Sequence, residues 1–233
     1  MLRPRHILTT TGATLAGGGL ALGLSILVAR LLTPEQNGHY AQFVLVLNLL
    51  YIGLNFGLGP TSTFFVASKR ASVRSVARVS LAVLIVLTCL MCAVGLSAHQ
   101  LGLAQAVERE LKIPTSILYM GIVAGMLLLS CNQVLAIIMG THRYDLVNIL
   151  SVSRAALPLM LVGIVTALSP SLTTVVAAHS MGLGLALVLA VWAFRTSLRG
   201  KSGEMQPEPA SRWQSMFGYG GLVYASSLLH FLA

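Results

Sequence analysis

The chain has 233 residues, 56% of them hydrophobic and 9% charged, with a mean hydropathy of +0.84. A water-soluble domain of this length could hardly sustain those values. The net charge of +9 would suit nucleic acid in a soluble protein, but no basic helix or aromatic platform accompanies it, so nucleic acid is excluded in favour of an anionic lipid surface.

Apolar stretches cover residues 11–32, 40–66, 79–98, 114–139, 146–168 and 172–194. Each supplies the roughly 20 residues that a helix needs to cross the hydrocarbon core. A seventh stretch begins near Phe217 and is still running at Ala233, so the sequence as given ends inside a helix. The fold class predicted is all-α: a polytopic membrane bundle with a six-helix lobe over 1–198, a cytoplasmic linker over 199–216 and the start of a seventh transmembrane helix over 217–233. The basic start from Arg3 to His6 looks superficially like a signal peptide. Its apolar segment is too long for one, is interrupted by glycine and lacks a small-x-small cleavage site, so it reads as a retained first span.

Loop charge orients the spans, because Lys and Arg near span ends stay on the cytoplasmic side. Arg3, Arg5, Lys69, Arg70, Arg74, Arg78, Arg143, Arg195, Arg199, Lys201 and Arg212 fall on one side, against Arg109 and Lys112 on the other, a split of eleven to two. The N-terminus and the even-numbered loops are thereby cytoplasmic. The first outer loop begins with Thr33-Pro34-Glu35-Gln36, a capping-box pattern with proline at the first helical position.

Three GxxxG pairs, Gly19/Gly23, Gly53/Gly57 and Gly121/Gly125, predict close helix contacts, and Gly59-Pro60 and Pro158 predict bends. Cys89, Cys92 and Cys131 all fall in spans with no His or carboxylate beside them, so they read as small buried packing residues, and no metal is expected.

Polar groups at membrane depth are costly and so mark water, substrate or an interhelical bond. On a continuous second helix Asn48, Tyr51, Asn55, Gly59 and Ser62 would share an arc of roughly 80°. Thr11, Thr14, Gly18 and Ser25 do the same in the first span. A hydrated cavity and a dry hydrogen-bonded bundle both fit these stripes. Asn132 and Gln133 add polar groups in the fourth span, and His179 in the sixth reads as a packing residue with a partner. Arg30 lies near the outer surface, off the first-span stripe. Arg154 lies eight residues into the fifth span, about 12 Å along its axis. It either reaches back to the cytoplasmic surface or faces an anion pathway, where its fork suits phosphate.

All six acidic residues, Glu35, Glu108, Glu110, Asp145, Glu204 and Glu208, lie in loops or at span ends. No nucleophile with its base, paired carboxylates, phosphate-binding loop or metal motif is visible, so no catalytic residue and no cofactor is expected.

Ala29-Arg30-Leu31-Leu32-Thr33-Pro34-Glu35-Gln36-Asn37-Gly38-His39-Tyr40, with Gly57-Leu58-Gly59-Pro60 after it, resembles the opening of bacterial polysaccharide and O-antigen flippases. These belong to the multidrug/oligosaccharidyl-lipid/polysaccharide exporter superfamily. Gly140-Thr141-His142-Arg143-Tyr144 with Asn148 is similar to that family's fourth loop, and Phe217-Gly218-Tyr219-Gly220 to its seventh-span start. The resemblance implies a multi-pass protein of the bacterial cytoplasmic (inner) membrane, in contact with membrane lipids, that moves an undecaprenyl-pyrophosphate-linked glycan outward by alternating access between two six-helix lobes. It further implies that Arg154, Asn48, Asn55, Tyr51, Thr14 and Ser25 bind the substrate, and that a second lobe or partner subunit completes the transporter. A multidrug antiporter lobe and a non-transporting membrane fragment are the alternatives.

Overall fold

The computed structural model describes residues 4–111, 114–168, 171–198, 218–221 and 223–224. Among residues 4–198 the described helices are, in order, α1 Pro4–Leu31, α2 Pro34–Leu54, α3 Leu58–Ala67, α4 Val73–Gln100, α5 Leu103–Leu111, α6 Thr115–Gly140, α7 Tyr144–Leu168 and α8 Leu172–Leu198. α1, α4, α6, α7 and α8 are each long and apolar enough to cross a membrane, and α2 with α3 forms a sixth span broken by a 49° bend. Together the described residues make the polytopic helical bundle that the hydropathy predicts. The linker over 199–216 lies outside them; residues 218–221 of the seventh stretch are helical.

The bent pair is one crossing and not a re-entrant loop. A 49° bend does not turn the chain back, and Lys69 and Arg70 after α3 carry charge of the kind retained on the cytoplasmic side, whereas Glu35 stands at the start of α2. The break falls at Phe56 (φ 42°) and Gly57 (φ 67°), just before the predicted Gly59-Pro60. Proline is tolerated in the first turn of α3, where its missing N–H removes no bond within that helix. Pro158 lies within α7, which runs on as one helix. At the other end of α2 the predicted capping box is complete: Gln36 N–H donates to Thr33 Oγ1 at 3.3 Å and Thr33 N–H to Gln36 Oε1 at 3.3 Å.

α6 is the central helix, packed on α2, α3, α4, α7 and α8, while α1 packs against α7 and touches α2 only slightly. Val28, Phe43, Ala124, Val162, Val175 and Val176, from α1, α2, α6, α7 and α8, expose no surface and form one core. Large apolar side chains on α4 such as Leu81, Ile85 and Leu90 point outward, as lipid-facing residues do. Cys89 and Cys92 share that exposure and only Cys131 is buried, which corrects the sequence reading for the first two: α4 lies at the edge, with little of its surface covered.

Where helices meet closely, glycine makes the contact. A Cβ on Gly121 would stand 2.9 Å from Val46 Cγ1, and one on Gly125 3.1 Å from Leu50 Cβ, so this predicted pair does seat α6 on α2. Nothing lies within 4 Å of Gly19 or Gly53. Besides Gly57, where a Cβ would meet the Gly220 carbonyl oxygen, two positions within the lobe carry closer approaches: Gly140 against Val66 Cβ at 2.7 Å, and Gly182 against Pro158 Cα at 2.5 Å. The second is backbone on backbone, and neither side can yield by turning a rotamer.

Outside the spans, α5 was not foreseen. The carboxylate of its Glu108 accepts hydrogen bonds from Thr115 N–H at 3.4 Å and from Thr115 Oγ1, placing negative charge at the N-terminus of α6. Beyond the lobe, Tyr219 stacks on Phe64 at 4.7 Å, and Arg70 lies over the same Phe64 ring, 5.2 Å from its centroid. The start of the seventh stretch thus docks on α3.

The α7–α8 crossing yields a direct test. Gly182→Ala should lower stability by about 2 kcal/mol through overpacking against immovable backbone, read as a drop of several degrees in the thermal midpoint in detergent. Gly184→Ala is the control, since its Cβ would meet nothing nearer than Leu127 Cδ1 at 4.0 Å; equal midpoints for the two variants would contradict the contact.

Candidate functional site

Two polar constellations lie inside the lobe. In the first, Gln133 of α6 donates both amide hydrogens, to Ser62 Oγ of α3 at 2.6 Å and to Ser80 Oγ of α4 at 2.7 Å. All three side chains are buried. Thr63 Oγ1 adds a bond to the Ala136 carbonyl at 2.9 Å, so α3 is pinned to α6 on two faces of one turn. Ser62 and Gln133 were visible as polar residues in apolar spans. Ser80 was not singled out, because a lone serine at the start of a span carries no signal until its neighbours are known.

The second constellation holds the membrane-depth arginine. Arg154 is ten residues from the start of α7 and Asn132 eight from the end of α6. These offsets put both about 12 to 15 Å from the helix ends that meet at the α6–α7 turn, at nearly the same depth. The Arg154 guanidinium donates to Asn132 Oδ1. Its partner is therefore a neutral amide on the neighbouring helix, not a carboxylate. A guanidinium has five N–H donors, so one bond to Asn132 holds and aims the group without exhausting it. Arg154 remains partly exposed.

The other predicted site residues are spread over separate faces. Thr14 Oγ1 donates to the Thr10 carbonyl at 3.0 Å, Ser25 Oγ to Ala21 at 3.1 Å and Asn48 Nδ2 to Val44 at 2.9 Å. All three are exposed. A bond to the carbonyl four residues back lets a polar side chain sit on an open helix face without a neighbour. Tyr51 packs beside Met126 and Leu129. Asn55 caps the end of α2, and its carbonyl accepts from Leu58 N–H at 2.8 Å. The break after Asn55 divides the second-span stripe: Asn48 and Tyr51 lie on α2, Ser62 lies on α3 inside the lobe. No hydrogen bond joins any two of the six predicted residues, and neither the cavity at the hinge nor the one at the start of α2 is lined by them.

His179 has the packing role expected of it, with a partner that the sequence did not reveal. Its Nδ1 is 2.8 Å from the Tyr40 hydroxyl, and Phe43 meets its ring edge-on at 5.3 Å. The pair ties α2 to α8. Among the described residues no group of three or more His, Cys, Asp or Glu side chains could hold a metal ion.

Set beside known proteins, the chain matches the family described as polysaccharide biosynthesis protein over residues 5–233. No curated protein and no solved structure matches it.

If Asn132 holds Arg154, the two are energetically coupled. Asn132→Leu and Arg154→Leu should each cost about 1 to 3 kcal/mol, by removing a hydrogen bond to a charged group at membrane depth, whereas the double Leu variant should cost clearly less than their sum. A double-mutant cycle on thermal stability in detergent measures this; strict additivity would break the pair.

Proposed function

The chain belongs to the polysaccharide biosynthesis protein family, and on that premise we propose that it flips a lipid-linked oligosaccharide precursor from the cytoplasmic to the outer leaflet of a bacterial inner membrane. It is a multi-pass membrane protein. The observation that carries the proposal is the family match running through all six spans of the lobe and into the seventh stretch.

The substrate chemistry follows from what the lobe holds at membrane depth. An undecaprenyl-pyrophosphate-linked glycan brings an anion, many hydroxyls and a tail that stays in lipid. Arg154, aimed by Asn132 and retaining free donors, suits the pyrophosphate, for which a guanidinium fork is better matched than an ammonium. Asn48, Asn55, Tyr51, Thr14 and Ser25 offer hydroxyl and amide groups on faces that the lobe leaves open or half open. Those faces suit a second lobe, in this chain or in a partner subunit, with the glycan between the two and alternating access produced by their rocking. The chain then performs no covalent chemistry and is not an enzyme.

An antiporter for cationic drugs is the second reading, and it would draw on a carboxylate at membrane depth. Among the described residues the acids are Glu35 and Asp145 in first helical turns and Glu108 and Glu110 in the short outer helix α5, which favours the glycan.

Loss of the gene should stop export and leave lipid-linked precursor in the inner leaflet, with export restored by the full-length protein. Arg154→Lys should restore it only in part, and Arg154→Gln less than Lys, at equal protein level in the membrane. Normal export without the gene would overturn the proposal; normal export by Arg154→Gln would remove Arg154 from the site.

The orientation has its own test in a background where the three cysteines are replaced. A single cysteine at Ser202 should resist an impermeant thiol reagent in intact cells, and one at Ala106 in α5 should react. The reverse pattern would place the N-terminus outside.

A further inference from the structure

We infer that the break in the second span is an ordered-water site, in which water replaces a helix hydrogen bond that the sequence cannot make. In a continuous helix each carbonyl accepts from the N–H four residues on. Around the break Asn55 finds Leu58 N–H at 2.8 Å and Gly57 finds Thr61 N–H at 3.1 Å. Phe56 has no such donor, because the residue four positions later is Pro60. In the last turn of α2, Gly53 is served from outside, by the Tyr224 hydroxyl at 3.1 Å.

The Phe56 carbonyl faces a second unmet group. Thr61 Oγ1 is on a side chain 4% exposed and has no hydrogen-bond partner. Both atoms look onto Gly220: a Cβ there would lie 3.1 Å from Thr61 Oγ1 and 3.4 Å from the Phe56 oxygen. The same place opens on a cavity of about 260 Å³ lined by Phe56, Leu58, Thr61, Ser62, Ser80 and Tyr224, among others. Gln133 spends its two N–H groups on Ser62 and Ser80, which keeps both hydroxyl protons available, and the 3.5 Å between the two serine oxygens can use one at most.

The niche therefore offers an acceptor at Phe56, a hydroxyl of either sense at Thr61 and at least one spare donor at the serines. A buried water needs two to four such partners and about 30 Å³, so there is room for several. Charge decides against an ion. Among the described residues no carboxylate lines the cavity, and Arg78 lies two residues before Ser80, so the local field disfavours a cation.

Hydroxyl-radical footprinting of the full chain in lipid nanodiscs tests the site, since rapid labelling at membrane depth requires water alongside. Leu58 and Val83, both on the cavity wall, should label several-fold faster than fully buried Val162. Thr61→Val keeps the volume and removes the hydroxyl, and should slow labelling at both positions several-fold; Thr61→Ser should retain it. Leu58 and Val83 as slow as Val162, or rates unchanged by Thr61→Val, would overturn the water site. Labelling that collapses when sodium replaces potassium would show a cation in the niche and overturn it equally.

Discussion

Within a bilayer, apolar side chains gain nothing by leaving lipid for one another, so helices stay together through close contact and hydrogen bonds. The lobe depends on that constraint. α6 is central because it can be approached: Gly121 and Gly125 admit α2, and Gly140 admits α3. α8 meets α7 at Gly182, where the Pro158 backbone fills the space of the missing side chain. The proline that on its own would weaken α7 thus sits where a neighbour's backbone covers it. Around these contacts the polar bonds are few and specific, each joining two helices: Gln133 to Ser62 and Ser80, Arg154 to Asn132, Tyr40 to His179.

Properties that depend on one segment at a time were legible in the sequence. Span number and approximate limits follow from hydropathy. The start of α2 follows from Thr33-Pro34-Glu35-Gln36, whose capping bonds are local. Properties that depend on two segments were not. The second-span stripe was drawn on an ideal helix, and the turn at Phe56 and Gly57 sends Ser62 into the lobe while Asn48 stays outside. Of the three GxxxG pairs only Gly121/Gly125 packs closely on a neighbour along its length, because the motif states that a face is bare and not that another helix lies against it. α5 escaped notice since nine residues are too few to announce a period amid loop-like composition.

Arg154 illustrates the limit of reasoning from cost alone. Its depth calls for a partner, and the predicted spans hold no carboxylate to supply one. The structure supplies an amide from α6, which a short turn at His142, where φ is +62°, joins directly to α7. That turn makes α6 and α7 consecutive antiparallel neighbours, so residues equidistant from it face each other at equal depth. Asn132 and Arg154 are nearly such a pair, which gives a polar residue of the fourth span a use that neither helix shows by itself.

The connection between α1 and α2 is only two residues, Leu32 and Thr33, yet α1 takes its support from α7. During synthesis the first two spans must enter the membrane together as a hairpin. α1 then waits for a partner that begins at residue 144, more than a hundred residues further on. At about 5 to 20 residues per second of translation, that interval is on the order of ten seconds. The bonds from Thr14 and Ser25 to their own helix suit this delay. They let the first span sit alone in lipid with its hydroxyls satisfied, so the order of assembly is written into side chains that never needed a neighbour.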